Sequence, residues 1–156
     1  MDDISINIGN YKFNYRVSAI IIHNNKILLH KAEGKEYYAL LGGRVKSGES
    51  TKDALKREVL EEIGKEIEVI EPFTFIENFF EMKNYNYHEL LISYKAEFKN
   101  EIDKKLEEKI ENIETDKNIV YEWKEINDIE NIELKPKEIK KVLKNMKYPQ
   151  FLINKS

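Results

Sequence analysis

Three glutamates, Glu58, Glu61 and Glu62, are spaced so that a helix would carry them within an arc of roughly 100°. They lie in the segment 43–65, GRVKSGESTKDALKREVLEEIGK. Leu55, Val59 and Ile63 fill the adjacent arc, which suits packing on a sheet. Carboxylates at i, i+3 and i+4 repel one another, each like pair costing about 0.2–0.5 kcal/mol even when exposed. They also fall in the C-terminal half of the segment, where the helix dipole disfavours anions. A sequence tuned only for helix stability would not choose this arrangement. A hard divalent cation resolves the conflict, because Mg²⁺ takes carboxylate oxygens and keeps positions open for water and phosphate. Arg57, four residues before Glu61, can hold that carboxylate and trim the excess charge. Taken alone, the same helix also reads as a solvated face, since 29 of the 156 residues are Asp or Glu.

The spacing decides between the two. Gly43 is followed after five residues by Glu49, then after seven by Arg57-Glu58-Val59, then by Glu61-Glu62 and Gly64. This pattern resembles the Nudix box of the Nudix (MutT-like) hydrolases, with every polar and glycine position filled. Two positions depart: Lys65 stands where the box ends in an aliphatic residue, and Leu41 stands upstream where the family often has proline. Neither supplies a metal-binding side chain. So many fixed positions across a loop and a helix make a far more specific signal than a short glycine motif.

The resemblance implies a set of roles. Glu58, Glu61 and Glu62 would bind divalent cations or activate water, with the carbonyl of Gly42 as a further ligand. Gly43 would let the loop turn tightly. Glu49 and Arg57 would complete the catalytic set by orienting the ligands. The cofactor implied is Mg²⁺, with Mn²⁺ as a substitute. The chemistry is attack of water on phosphorus, a carboxylate taking the proton. The substrate class is a nucleoside diphosphate linked to another moiety. Family members often recruit a carboxylate from outside the box, and Glu89 and Glu114 are the candidates here, although each also reads as a plain surface residue. His30 and Lys31 stand where some members place phosphate-binding residues, and an exposed strand end explains them equally well. Trp123 and the pair Phe79-Phe80 could stack on a base, but aromatic residues at strand spacing are more often core.

The elements that must position this set follow from pattern. Val17 to His23 and Lys26 to His30 are apolar runs separated by Asn24-Asn25, a hairpin signal. Tyr37 to Leu41 reads as a short strand ending at Gly42-Gly43, and residues 44–49 as a loop. Ser50 can cap a helix that runs to about Ile63 and stops at Gly64. Glu66 to Glu81 and Tyr85 to Phe98 read as two long strands. The charge-dense stretch 100–117 reads as a solvated loop or surface helix, and Ile119 to Ile126 as a strand. Pro136 suits the first turn of a last helix whose apolar face is Ile139, Val142, Leu143 and Met146. The fold expected is α/β: an α/β/α sandwich around a mixed sheet, as the resemblance also implies, with residues 1–156 as one domain.

Bulk properties narrow the partners. At 41% apolar and 35% charged, 156 residues can bury one core beneath a heavily solvated surface. A net charge of −3 argues against a nucleic-acid polymer or an anionic membrane as partner. The start, Met1-Asp2-Asp3, has no basic and apolar leader pattern, and no apolar run approaches the length of a membrane span. With no cysteine, the expectation is a cytoplasmic protein acting on a small nucleotide, as a monomer or a homodimer. The absence of cysteine also disfavours the isopentenyl-diphosphate isomerases, which share the fold and call for a catalytic one. The competing function is a catalytically silent, nucleotide-binding regulatory module. Such modules tend to lose the carboxylates that this chain retains.

Overall fold

The computed structural model describes residues 1–104, 109–111 and 118–155. Its backbone is the long strand β2 (Tyr11–His23), to which most of the sheet is attached. β1 (Ser5–Ile8) pairs with its first half, antiparallel. The turn at Asn24-Asn25 leads into β3 (Lys26–Ala32). Both asparagines have positive φ, 50° and 61°, the geometry of the tight hairpin turn that the pair suggested. β4 (Tyr38–Ala39) lies on β3, and β5 (Leu41–Arg44) returns to β2. After the helix α1 (Thr51–Ile63), β6 (Ile67–Met82) and β7 (Tyr85–Phe98) form a long antiparallel hairpin, and β7 runs parallel to β2. β8 (Lys109–Glu111) and β9 (Ile119–Glu125) extend the β3 side, while β10 (Leu134–Lys135) joins β4 in parallel. The chain ends with α2 (Ile139–Asn145) and β11 (Gln150–Lys155), the latter parallel to β6 at the sheet's edge.

Alternation along the strands builds two cores. On one face Val17, Ala19, Ile21, Tyr94 and Ala96 meet Ala54, Leu55, Val59 and Ile63 of α1. On the other, Ile20, Ile76, Leu91 and Leu152 meet Ile139, Val142 and Leu143 of α2. Each fully buried aliphatic side chain contributes about 1.5–3 kcal/mol, so α1 is fixed by four residues on a single stripe. The layers are helix, mixed sheet, helix. That is the sandwich expected.

α1 begins and ends where its caps require. Ser50 Oγ accepts from Asp53 N at 3.1 Å, and Gly64, at φ 68°, closes the helix by donating to Leu60 O at 2.9 Å. Thr51 Oγ1 and Tyr94 Oη, 2.7 Å apart, tie its first turn to β7.

Four expectations need correction. Tyr37 to Leu41 is not one strand: the chain breaks at Leu40 into β4 and β5, and Gly42-Gly43 lies inside β5, not beyond it. The stretch 100–117 contains a 3-10 turn, Glu101–Lys104, and the short strand β8 on β9. Pro136 precedes α2 without entering it, and Met146 is the exposed left-handed residue that terminates the helix instead of part of its buried face. β1 and β11 were not anticipated. Glu114 lies outside the described residues.

Candidate active site

β5 lies against β2 with Gly42 opposite Ser18 and Gly43 opposite Val17. A side chain at either position would collide, but with different neighbours. A Cβ at Gly42, whose φ is 155°, would collide with the backbone of Val17 and Ser18. A Cβ at Gly43 would fall on the Glu58 carboxylate. The second glycine is therefore the seat of a glutamate side chain. α1, pinned to the sheet by Leu55 and Val59, lays Glu58 across β5.

Arg57 gathers the loop and the helix around that seat. Its guanidinium donates Nε to Glu49 Oε2 at 2.8 Å and Nη2 to Glu49 Oε1 at 3.0 Å, a two-pronged pairing. Nη2 also donates to the Arg44 carbonyl at 3.0 Å. Nη1 donates to Glu58 at 2.9 Å and to Glu61 at 3.2 Å. All five N–H groups are thereby used. Glu49 Oε1 further accepts from Lys46 N at 3.0 Å, closing the loop on itself.

Electrostatics differ sharply among the carboxylates. Hydrogen bonding from Arg57 holds Glu49 below its ordinary value of 4.5. Burial pushes Glu58 above 4.5, with Glu61 adding repulsion and Arg57 and Arg16 opposing. The same set raises the pKa of Arg57, its hydrogen bond to Glu49 foremost. Glu61 is half exposed. Glu62 is buried at 7% exposure, where Tyr121 Oη of β9 donates to its Oε2 at 3.1 Å.

A family model for the NUDIX domain matches residues 12–146. The chain belongs to the Nudix hydrolase family. No curated protein matches it in sequence. Among solved structures, the fold is similar to a MutT Nudix hydrolase from Burkholderia pseudomallei, with a TM-score of 0.66 at 21% identity over 86% of this chain and 98% of that one. It is also similar to an ADP-ribose pyrophosphatase from Streptococcus suis 89-1591, at 0.60 and 16% identity over 89% and 98%. A UDP-X diphosphatase matches at 0.62 and 18% identity over 89% of this chain, which spans 66% of that protein's length.

Within the Nudix box, the structure joins Glu49, Arg57, Glu58 and Glu61 in one network and carries Glu62 to Tyr121. Among the described residues, no three acidic or histidine side chains stand close enough together, as placed, to hold a metal ion. The expected convergence of all three box glutamates is therefore not present in this side-chain arrangement, because Arg57 draws Glu58 and Glu61 to itself while Tyr121 binds Glu62. The donor set still suits a hard cation. It is made of oxygens only, it lies on adjacent helical positions, and Glu58 is a carboxylate whose burial disfavours its charge.

The two departures from the box have structural explanations. Lys65 Nζ pairs with Asp103 at 2.7 Å, replacing an apolar contact by an ion pair. Leu41 is fully buried in the core under α1. His30 Nε2 lies 3.0 Å from the Leu40 carbonyl, and its ring is 5.7 Å from that of Tyr121, the residue that reaches Glu62. Lys31 stands over the Tyr38 ring at 5.3 Å. Glu89 is no surface residue: it is buried, on the sheet face opposite α1. Trp123 packs edge-on against Phe98, 6.4 Å away. Arg16 and Tyr121 were missed. Strand alternation in Ile119–Glu125 could have turned Tyr121 inward, but nothing local linked it to Glu62.

Proposed function

We propose that residues 1–156 act as one Mg²⁺-dependent hydrolase domain, with Mn²⁺ as a substitute, that cleaves the phosphoanhydride of a nucleoside diphosphate linked to another moiety. The observation carrying this reading is the seat of Glu58 on Gly43, braced by the Arg57–Glu49 clamp. A helix does not bury an acidic side chain against a glycine strand for stability. Glu58, Glu61 and Glu62, with the Gly42 carbonyl, would hold the cation. Bound there, it would neutralise the diphosphate oxygens and lower the pKa of water.

The chain's own residues supply the remainder. The clamp fixes where Glu58 and Glu61 can go, which is the positioning that anhydride hydrolysis asks of an enzyme. One of the box carboxylates would take the proton from the attacking water. Arg16 of β2, whose charge acts on Glu58, would suit a phosphate oxygen. Among the described residues no helix is long and apolar enough to cross a membrane.

The test is a panel of nucleoside triphosphates, nucleoside diphosphate sugars and dinucleoside polyphosphates with Mg²⁺, read by released nucleoside monophosphate or phosphate. Turnover of at least one class, abolished in Glu58→Gln, is expected. If the whole panel binds and nothing turns over, the silent regulatory module is the correct reading.

A further inference from the structure

The described residues contain eight buried polar or charged side chains, and seven of them share the sheet face opposite α1: Asn14, Ser18, Thr74, Asn78, Glu89, Ser93 and Asn154. Four form one cross-strand row. Asn14 of β2 stands opposite Glu89 of β7, Glu89 opposite Asn78 of β6, and Asn78 opposite Asn154 of β11. Asn14 Nδ2 donates to one oxygen of Glu89 at 3.2 Å and Asn78 Nδ2 to the other at 3.4 Å. The amides of Asn78 and Asn154 meet at 2.6 Å. A sheet face that packs on a helix is ordinarily apolar, as the next row, Leu91, Ile76 and Leu152, is. A row of amides around a buried carboxylate needs a reason.

The row is rich in acceptors. Each Glu89 oxygen takes one amide N–H and keeps a further lone pair. Asn14 is 1% exposed, and its Oδ1 has no hydrogen-bond partner. Its orientation follows from Glu89, since the opposite rotamer would set a carbonyl against a carboxylate. What fits is a group that donates.

Two neighbours define the shape of that group. Two residues outward along the strands, on the same face, Tyr87 and Phe80 stack at 4.8 Å with their planes 4° apart, and Lys12 stands opposite Tyr87. Two residues inward is Arg16, whose charge acts on Glu58. From Lys12 to Arg16 is four residues of strand, about 13 Å, the scale of a nucleoside with its first phosphate. Aromatic planes, an acceptor row and an arginine whose charge reaches Glu58 thus follow one another along β2.

We propose that the Asn14–Glu89–Asn78 row reads the base of the substrate and selects one with two adjacent N–H donors on one edge, the pattern of guanine. This rests on the reading of the box as a phosphoanhydride site. Adenine and cytosine place a ring acceptor beside their amino group, and uracil flanks its N–H with two carbonyls. Each would bring an acceptor against the Glu89 carboxylate. Guanine brings none. A sugar could offer hydroxyl donors to the same row, but it would leave the Tyr87–Phe80 stack without a planar partner.

The experiment is calorimetric titration of the full chain with GMP, IMP, AMP, UMP and ribose 5-phosphate, without turnover. GMP should bind about tenfold or more tighter than AMP and UMP, with IMP, which lacks the exocyclic amine, between them. Glu89→Gln, its fold checked by melting, should bring the bases within about twofold of each other. Equal affinity for all bases, a GMP preference that survives Glu89→Gln, or ribose 5-phosphate binding as tightly as GMP would each overturn the proposal. The wild-type ranking decides even if the variant does not fold. GMP preference without hydrolysis of any anhydride would leave this inference standing and remove the hydrolase reading. Hydrolysis without base preference would do the reverse.

Discussion

Gly43 leaves the room that the Glu58 side chain fills: a Cβ on the glycine would collide with the carboxylate of the glutamate. Gly43 is not in the left-handed region, so alanine there is acceptable to the backbone, and its cost is borne by Glu58. Gly43→Ala should lower turnover about 100-fold or more, because displacing a positioned group by an ångström is enough for that. Circular dichroism and melting should stay close to wild type. A Gly43→Ala protein with full activity would show that Glu58 works from another position.

The Arg57–Glu49 pairing is the second dependency. Lysine keeps the charge but cannot donate along two prongs. Arg57→Lys should therefore cost about 2–3 kcal/mol of stability and weaken Mg²⁺ affinity and turnover together. Urea denaturation and metal titration measure the two effects. Normal metal affinity with lost substrate binding would mean that Arg57 contacts substrate.

Glu49 and Glu58 should titrate in opposite senses. The folded-state pKa of Glu49 is depressed, so its stabilisation is present above the unfolded value and lost as pH falls through the folded one. The folded-state pKa of Glu58 is raised, so the contribution favouring the fold is present below the unfolded value and lost as pH rises through the folded one. In metal-free protein, Glu49→Gln should melt lower than wild type at pH 7, with the gap closing in acid. Glu58→Gln should melt higher than wild type at pH 7, again converging in acid. Melting curves from pH 3 to 7 test both signs.

Much of this site was legible in the sequence because helical periodicity is local. Ser50, Gly64 and the buried stripe Leu55, Val59 and Ile63 fix α1 and hence the arc that carries Glu58 and Glu61. The role of Gly43 as a seat is non-local, since it depends on β5 lying beside α1. The spacing pattern over residues 43–65 does not reveal that the polar row around Glu89 exists either: Asn14, Glu89, Asn78 and Asn154 come from four separate strands, and register joins them. β11 went unread because an apolar run of three after Pro149 carries too little alternation to mark a strand. Glu62 looked equivalent to Glu61 on a helical wheel. The difference comes from Tyr121, 59 residues away.

Metal binding should reverse the stability order set by Glu58. A carboxylate that resists ionisation in the folded protein is a cost that a bound cation removes. Mg²⁺ at about 100 times its dissociation constant stabilises a protein by about 2.7 kcal/mol, which for a chain of this size is a rise of roughly 5–10 °C in melting temperature. Wild type should show that rise at pH 7, and Glu58→Gln/Glu62→Gln should not. Without Mg²⁺ the Glu58→Gln single variant melts above wild type; with saturating Mg²⁺ it melts below. Mn²⁺ should reproduce the crossing and a chelator should restore the first order. Anhydride hydrolysis should follow the same titration, while a phosphomonoester, which offers no second phosphate to share the cation and a much higher intrinsic barrier, stays uncleaved. Parallel melting shifts in wild type and the double variant would place the cation away from α1 and end this account of the box.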